Sequence, residues 1–164
     1  MARSELSTEK ILEMLRSNPQ LIAETTRGWS EAQLHTRPAP EEWSAVEVLA
    51  HLRACADVWG QCITDILASE HPTLRAIDPR TWAKRTDYPR LDYASSWQAY
   101  LEQRDALLEQ LHCLTPAEWK RSARVTGAGR ELERSIRFYA QWLAHHEHTH
   151  LKQFRQLANL FHQV

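Results

Sequence analysis

Four histidines fall within the six-residue segment His145–His150. Imidazole nitrogens are common ligands of divalent metals, so a cluster of this kind indicates a possible metal site. The cluster divides into two pairs, because side chains three or four residues apart share one face of a helix. His146 and His150 form one pair, and His145 and His148 form the other.

The pair His146 and His150 continues a mainly apolar line along a predicted helix. Steps of three and four residues give the other members of this line: Ile136, Tyr139, Leu143, Gln153, Leu157 and Leu160. The pattern directs both imidazoles toward the core, where a pair at i and i+4 can bind one metal ion. The alternative is that each is a core imidazole hydrogen-bonded to a neighbour.

The pair His145 and His148 lies on a polar line, which predicts a solvated face. The other members of that line are Gln141, Lys152, Arg155 and Asn159. Glu147 follows His146 but points about 100° away around the helix, so we expect it at the surface. Gln153 is predicted either to make a hydrogen bond in a pocket or to be a satisfied core amide.

A third ligand is available in the segment EVLAHLRACADVW, where His51 lies at the edge of a second apolar stripe. Three histidines from two helices would leave open positions for water or substrate, as in reactive rather than structural sites. Cys55, one turn later, is a competing ligand or nucleophile, although we favour its interpretation as a small buried hydrophobe. Glu47, one turn earlier, either orients a ligand or serves only in a helix cap.

Helices must position these residues. Apolar periodicity and capping residues predict four long helices over about residues 7–28, 44–68, 92–113 and 132–161. In the first helix, the segment SNPQ is predicted to be an interruption, with Asn18 as a cap and Pro19 at the start of a new helix. Ser44 and Glu47 form a capping box that opens the second. Shorter capped turns are predicted at residues 30–33 and 115–118.

The composition favours helix nearly throughout, because only four glycines occur and none lies in a hairpin dipeptide. RVTGAGRE is expected to be a flexible loop. The chain of 164 residues is predicted to be one domain, 1–164, of the all-α class: a four-helix bundle with a long connection between the second and third helices.

Charge and cysteine content limit the function classes. A formal net charge of −1 gives no reason to expect nucleic acid or an acidic membrane as partner. Cys55, Cys62 and Cys113 are an odd number without a C-x-x-C pair, which fits a reducing compartment. Because neither a signal-peptide pattern nor a long apolar run occurs, we expect a cytoplasmic protein.

The connection at residues 69–90 is locally basic. Its cationic side chains are Arg75, Arg80, Lys84 and Arg85. They could suit an acidic thiol or a carboxylate-bearing substrate, although such runs are usually only solvated. Trp82 could cover a pocket or a dimer surface, or simply anchor the loop. Trp43 and Trp59 are assigned to helix packing.

Two stretches together resemble the DinB-like (YfiT-like) family of metal-binding helical bundles. LHTRPAPEEWSAVEVLAHL is similar to the family's proline, then Trp-Ser at a helix start, then His-Leu about two turns later. HEHTHLKQ is similar to its last-helix pattern His-x-x-x-His-Leu-x-Gln. The resemblance implies that His51, His146 and His150 hold one divalent metal ion, zinc or nickel. Thr149 stands where many members have a further histidine, a place not usually counted among the ligands.

The resemblance also implies an activity. Some members of the family transfer low-molecular-weight thiols such as bacillithiol or mycothiol, so the first expectation is a thiol S-transferase in which the metal activates a thiol. The alternatives are a hydrolase that uses metal-bound hydroxide and a non-catalytic metal- or partner-binding bundle. The expected partners are a small-molecule substrate and a second copy of the chain in a homodimer. Neither a general base nor a residue that binds the thiol can be assigned.

Overall fold

The computed structural model of the chain describes residues 5–162. In chain order the elements are α1 (Thr8–Thr26), α2 (Glu31–His35), α3 (Ala45–Ala68), β1 (Thr73–Arg75), α4 (Pro79–Ala83), α5 (Tyr93–His112), β2 (Ser122–Thr126), β3 (Leu132–Ser135) and α6 (Ile136–His162), with 3-10 turns at Tyr88–Arg90 and Glu118–Lys120. The four long helices form a bundle in which α6 packs against both α1 and α3. The predicted four-helix bundle is therefore confirmed.

Local sequence signals set the start of α3 where the capping box predicted it. The Ser44 hydroxyl accepts a hydrogen bond from the backbone N–H of Glu47, and the Glu47 carboxylate accepts one from the backbone N–H of Ser44. The same reciprocal pattern between Ser30 and Gln33 opens α2. Two orphan donors are satisfied at each helix start, which fixes the first turn. His51 consequently lies two turns into α3.

The predicted interruption of the first helix is wrong. Helix α1 continues through Pro19, and Asn18 is a buried residue within it rather than a cap. A proline inside a helix costs about 3 kcal/mol through a lost hydrogen bond and a steric clash. Here the buried face of α1 packs along α6, and the Asn18 amide donates a hydrogen bond to the Ala144 carbonyl at 3.0 Å. Tertiary packing thus outweighs the local cost.

A small sheet occupies part of the chain that the composition assigned to loop and helix. Strand β2 pairs in parallel with β1 and antiparallel with β3. RVTGAGRE is therefore largely a hairpin, with Gly127 and Gly129 at positive φ in its turn. Helix α6 begins at Ile136, after β3, rather than near residue 132. The strands are too short for their alternation to stand out in the sequence.

The connection between α3 and α5 is attached to the bundle through one carboxylate of α3. The Trp82 indole N–H and the Tyr88 hydroxyl both donate to Asp57 Oδ2, at 3.0 and 2.8 Å. Trp82 therefore anchors this connection, which was one of its predicted roles. Helix α4 packs against α3 as a result, on the helix that carries His51. Within residues 5–162 the structure contains no helix both long and apolar enough to cross a bilayer.

Candidate metal centre

The three histidines singled out in the sequence meet in space. His51 Nε2 lies 3.2 Å from His146 Nε2, and His150 Nε2 lies 3.2 Å from the same atom. The ring centroids are 4.5 to 5.0 Å apart. Helix α3 supplies the first ring and successive turns of α6 supply the other two. The Nε2 atoms of His51 and His150 therefore both approach His146 Nε2 between the two helices.

The spacing matches that of ligands around one metal ion. Nitrogens bound to zinc at roughly 2.0–2.1 Å with tetrahedral angles lie about 3.3 Å apart. The observed 3.2 Å contacts agree with this value without any rearrangement. Three protein ligands in such a geometry leave at least one coordination position open.

Hydrogen bonding between the rings cannot satisfy this arrangement by itself. A neutral imidazole nitrogen carries either one proton or one lone pair in the ring plane. His146 Nε2 faces both other Nε2 atoms at 3.2 Å, so at most one of the two contacts is a proper hydrogen bond. A cation at the centre would satisfy all three lone pairs. The donor set therefore fits a divalent metal, for which imidazole is a suitable ligand.

Gln153 holds one ring in the tautomer that a metal requires. Its Oε1 atom is in hydrogen-bond contact with His150 Nδ1. A carbonyl oxygen accepts only, so the proton lies on Nδ1 and the lone pair lies on Nε2, the atom that faces His146. This support of a ligand by its second nitrogen is usual in metal sites. This contact is compatible with both predictions for Gln153, a hydrogen bond beside a pocket and a satisfied amide.

The electrostatic surroundings favour the neutral form of two of these rings, His51 and His150. Burial, with contributions from His150 and Arg80, lowers the pKa of His51 to about 4. Burial also lowers the pKa of His150, with Arg80 acting in the same direction and Gln153 opposing it. Only a neutral imidazole has a lone pair to offer a metal. At neutral pH these two rings would therefore not have to lose a proton before binding a metal.

Two tryptophans enclose the histidines. The Trp43 ring stacks on His150 with a centroid distance of 6.2 Å and an angle of 7°, and it lies 5.0 Å from His51. The Trp59 ring meets His146 edge-on at 5.2 Å. Sequence reasoning assigned both to helix packing and missed this contact. Their signal was position in the sequence: Trp43 lies just before the N-cap of the helix that carries His51, and Trp59 lies two turns after His51 on that helix.

Cys55 lies beside the site. Its Sγ is 3.6 Å from His51 Nε2, and it is fully buried as expected. It could complete a ligand group with His51 and His146. Burial, together with nearby carboxylates, raises the pKa of this thiol well above its usual range. The thiol is therefore neutral in the metal-free protein, which favours the small buried hydrophobe over the nucleophile.

Glu47 serves the helix cap and an ion pair. Its carboxylate accepts from the Ser44 backbone N–H at 2.9 Å and from the Arg37 guanidinium. Burial is the largest single effect on this carboxyl, and it raises the pKa. The hydrogen bonds together outweigh burial, so the pKa of Glu47 is lowered. No hydrogen bond from Glu47 to His51 is found among residues 5–162. Of its two predicted roles, the cap is the one observed.

The expectation that Glu147 lies at the surface is wrong. Its side chain is fully buried and forms an ion pair with Arg104 of α5, which is 2% exposed. The Asn18 amide lies 3.5 Å from Glu147 Oε2. The error has a physical cause: α6 packs against α1 on one side and α3 on the other. Its buried arc is therefore wider than the single apolar line that contains His146.

The second histidine pair lies away from the triad. His148 is exposed, and its Nδ1 atom is 3.4 Å from Asn18 Oδ1. His145 is half-buried and lines a different cavity, together with Trp142 and Arg137. The prediction of a solvated face is therefore correct for His148 and only partly correct for His145.

A cavity of about 330 Å³ opens next to His51. Its lining residues are Trp43, Glu47, Ala50, His51, Arg80, Ala83, Lys84 and Pro89. Helix α4 provides the side opposite α3, and Trp43 and His51 are shared with the triad. Of the four cationic residues noted in the connection, only Arg80 and Lys84 line this space. A small molecule in the cavity would lie against the His51 ring.

Comparisons with known proteins agree with this architecture. The sequence model of the DinB superfamily matches residues 14–154. A Bacillus licheniformis protein, named for an inferred metal-dependent hydrolase activity, is 28% identical over 163 residues, an alignment that covers 93% of this chain and 87% of the relative.

Two solved structures share the fold. YfiT from Bacillus subtilis, described as a probable metal-dependent hydrolase with an unusual four-helix bundle topology, superposes with a TM-score of 0.77 at 20% identity, covering 98% of this chain and 93% of YfiT. The sibling lethal factor precursor DfsB superposes with a TM-score of 0.67 at 14% identity, covering 98% and 97%. Because the two descriptions differ so widely, the shared fold leaves function to be argued from the site.

Proposed function

The chain belongs to the DinB superfamily, and from this premise we propose that it is a divalent-metal-dependent enzyme whose ion is held by His51, His146 and His150. The observation that carries the proposal is the approach of two Nε2 atoms to within 3.2 Å of His146 Nε2. Zinc or nickel is the proposed metal, since imidazole suits both.

A divalent ion in this position would lower the pKa of a coordinated thiol or water and so provide a nucleophile near neutral pH. The chain's own residues would do the rest. Three imidazoles leave a position open, Gln153 fixes the proton of His150 on Nδ1, and Trp43 and Trp59 keep bulk water from the rings. The cavity beside His51 would hold the second reactant.

We propose thiol S-transfer as the reaction, because the carboxylates near the three histidines in the described part of the chain already have partners, including Asp78 as the N-cap of α4. On α3 and α6, the carboxylates closest in sequence to the three histidines are those of Glu47, Asp57 and Glu147. Glu47 is bound by Arg37 and Ser44, Asp57 by Trp82 and Tyr88, and Glu147 by Arg104. A thiol has an ordinary pKa near 8.5, far below that of water. A coordinated thiol would therefore ionise more readily than coordinated water.

A metal-dependent hydrolase is the second candidate. The observation in its favour is that both the Bacillus licheniformis relative and YfiT are described in these terms. The same three ligands and the same cavity would serve, with water in place of the thiol. The two reactions differ in whether a thiol is consumed. The predicted homodimer is retained as a proposal, to be checked by analytical ultracentrifugation.

The first experiment is metal analysis of tag-free protein by plasma mass spectrometry, after incubation with zinc or nickel and removal of free ion. We expect about one equivalent in the parent chain and a loss of bound metal in His51→Ala, His146→Ala and His150→Ala. His145→Ala and His148→Ala are the matched controls and should retain it. Failure of the parent chain to bind metal would overturn the proposal.

The reaction type is then tested on metal-loaded protein. Low-molecular-weight thiols are offered with electrophiles such as a halogenated aromatic, and thiol loss is followed beside the hydrolysis of simple esters and amides. Metal-dependent thiol consumption would support the transferase. Hydrolysis without a thiol would favour the second candidate, and bound metal without either turnover would favour a non-catalytic module.

A further inference from the structure

The cavity beside the histidines has an uneven charge. Three of its lining side chains are charged: Glu47 from α3, Arg80 from α4, and Lys84 at the C-cap of α4. Glu47 is neutralised by Arg37, with Arg37 Nε at 2.9 Å from Glu47 Oε2. No ion pair of Arg80 or Lys84 is found in the described part of the chain. The net charge that the lining presents to a ligand is therefore positive.

One further carboxylate stands near, and it is committed to the helix. Asp78 is the N-cap of α4, where its Oδ1 atom accepts from the Arg80 backbone N–H at 2.9 Å. Asp78 is absent from the cavity lining, whereas the Arg80 side chain forms part of it. Arg80 and Lys84 are four residues apart, so their side chains project from the same face of α4.

The position of α4 is held rather than loose. Trp82 lies between the two cations in sequence, and its indole N–H donates to Asp57 Oδ2 of α3 at 3.0 Å. Tyr88, just after α4, donates to the same oxygen at 2.8 Å. Asp57 thus fixes the segment that carries Arg80 and Lys84 against the helix that carries His51. Arg80 is also close enough to the triad to contribute to the lowered pKa values of His51 and His150.

We infer that the site takes a ligand with two chemically distinct ends: one that reaches the metal position and an anionic group, such as a carboxylate, that is bound by Arg80 and Lys84. This inference rests on the proposed metal-dependent function and specifies its substrate class. A guanidinium and an ammonium together suit a carboxylate, because charge-assisted hydrogen bonds are stronger than neutral ones. The ligand would span the cavity from His51 to α4.

The test uses a spectroscopic readout of ligand binding. The protein is loaded with cobalt(II), its metal content is measured, and linear mercapto-acids of increasing length are titrated in, each beside its neutral mercapto-amide. Binding is followed through the thiolate-to-cobalt absorption. In the parent chain we expect at least one acid to bind about ten- to a hundredfold more tightly than its amide, the range for hydrogen bonds to charged groups. Raised salt should reduce that preference.

Matched variants assign the effect to the two cations. Arg80→Gln and Lys84→Gln should each reduce the acid-over-amide preference while leaving metal content and amide affinity unchanged. Arg85→Gln removes the same charge from a neighbouring residue outside the cavity lining, and it should keep the full preference.

The outcomes separate the two proposals. Equal affinity for acid and amide in the parent chain, or a preference that survives in the Arg80→Gln/Lys84→Gln double variant, would overturn the inference while the metal site stands. The absence of thiolate absorption with every probe would overturn it as well. A parent chain that takes up no cobalt would instead contradict the metal site itself, and that result appears before any probe is added.

Discussion

Two polar clusters lie side by side on α6, and they differ in how their hydrogen-bonding groups are matched. In the first cluster the Glu147 carboxylate is an acceptor in a fully buried position. Its donors are the Arg104 guanidinium and the nearby Asn18 amide. The adjacent residue His146 meets His51 and His150 through three nitrogens of the same kind. The first cluster joins a carboxylate and a guanidinium of opposite charge within the protein. The second brings together nitrogens whose lone pairs a bound cation would satisfy.

This contrast separates a polar cluster that supports the fold from the cluster that we propose binds metal. Removing one partner of a buried carboxylate–guanidinium pair strongly destabilises the protein, because the other charge is left without a partner or solvent. Converging lone pairs, in contrast, are unfavourable in the free protein and persist because the surrounding helices impose them. By residue type alone, the histidine pair and the glutamate of α6 are similar candidates for metal ligands. Their partners in space assign Glu147 to the fold and His146 to the site.

The largest effect that we expect is on stability, from breaking the buried ion pair. Glu147→Leu leaves Arg104 buried without its partner and should lower the free energy of unfolding by about 3–5 kcal/mol. Denaturant titration measures this change. Glu13→Ala, which removes the exposed pair with Lys10, is the control and should cost at most about 0.5 kcal/mol.

A second substitution sharpens this prediction. Adding Arg104→Met to Glu147→Leu removes both charges and should restore most of the lost stability. Replacing a whole buried ion pair by apolar side chains of similar volume is often neutral or stabilising. The folded double variant should still bind one metal ion. Loss of metal from a fully folded double variant would show that the ion pair belongs to the functional cluster after all.

The histidine cluster should make the metal-free protein sensitive to acid. The folded state holds the pKa of His51 near 4, below the ordinary value of 6.5. Between these values the unfolded chain binds more protons, so stability falls as the pH decreases from about 6.5 to about 4 and is fully present above that window. The difference corresponds to about 3 kcal/mol from His51, with His150 contributing in the same direction.

Urea titrations of metal-free protein across this pH window test the point. His51→Gln should show a shallower decline than the parent chain. His112→Gln, an exposed histidine at the end of α5, should decline as the parent does. Bound metal should protect the parent chain, because a coordinated imidazole cannot accept a proton. Identical slopes in His51→Gln and the parent chain would contradict the buried neutral ring.

A smaller effect is expected from Gln153, which touches the triad only through His150 Nδ1. Gln153→Leu should weaken metal binding by about ten- to a hundredfold, the usual range for a residue that orients a ligand. Gln156→Leu on the same helix removes an exposed contact with Glu42 and is the control. Competition with a chelator of known affinity gives both values. Unchanged affinity in Gln153→Leu would mean that the helices alone orient the ring.

The smallest effect should come from Cys55. If it is only a buried packing residue, Cys55→Ala should cost about 1 kcal/mol of stability and leave metal content unchanged. Cys62→Ala, which changes a half-buried cysteine elsewhere on α3, is the matched control. Loss of metal in Cys55→Ala alone would identify a fourth protein ligand. The site would then be closed and structural, against the proposed catalytic role.

The sequence was sufficient for the features that depend on local chemistry. The capping boxes at Ser30 and Ser44 set helix starts, and helical spacing brought His146 and His150 to one face of α6. Such signals are carried by residues a few positions apart, so they can be predicted from the sequence alone. Two observations predicted that His51 lies beside them: its position at the edge of an apolar stripe, and the family resemblance. The structure brings all three histidines together.

Only the tertiary structure decided which faces are buried and what meets across the helices. Helix α1 continues through Pro19 because its packing on α6 exceeds the local cost. Glu147 is buried because two neighbours cover α6 from different sides, and its partner Arg104 comes from another helix. Arg80 reaches the cavity because Asp57 anchors its segment to α3. Each of these depends on contacts between residues distant in the chain, which no local pattern encodes.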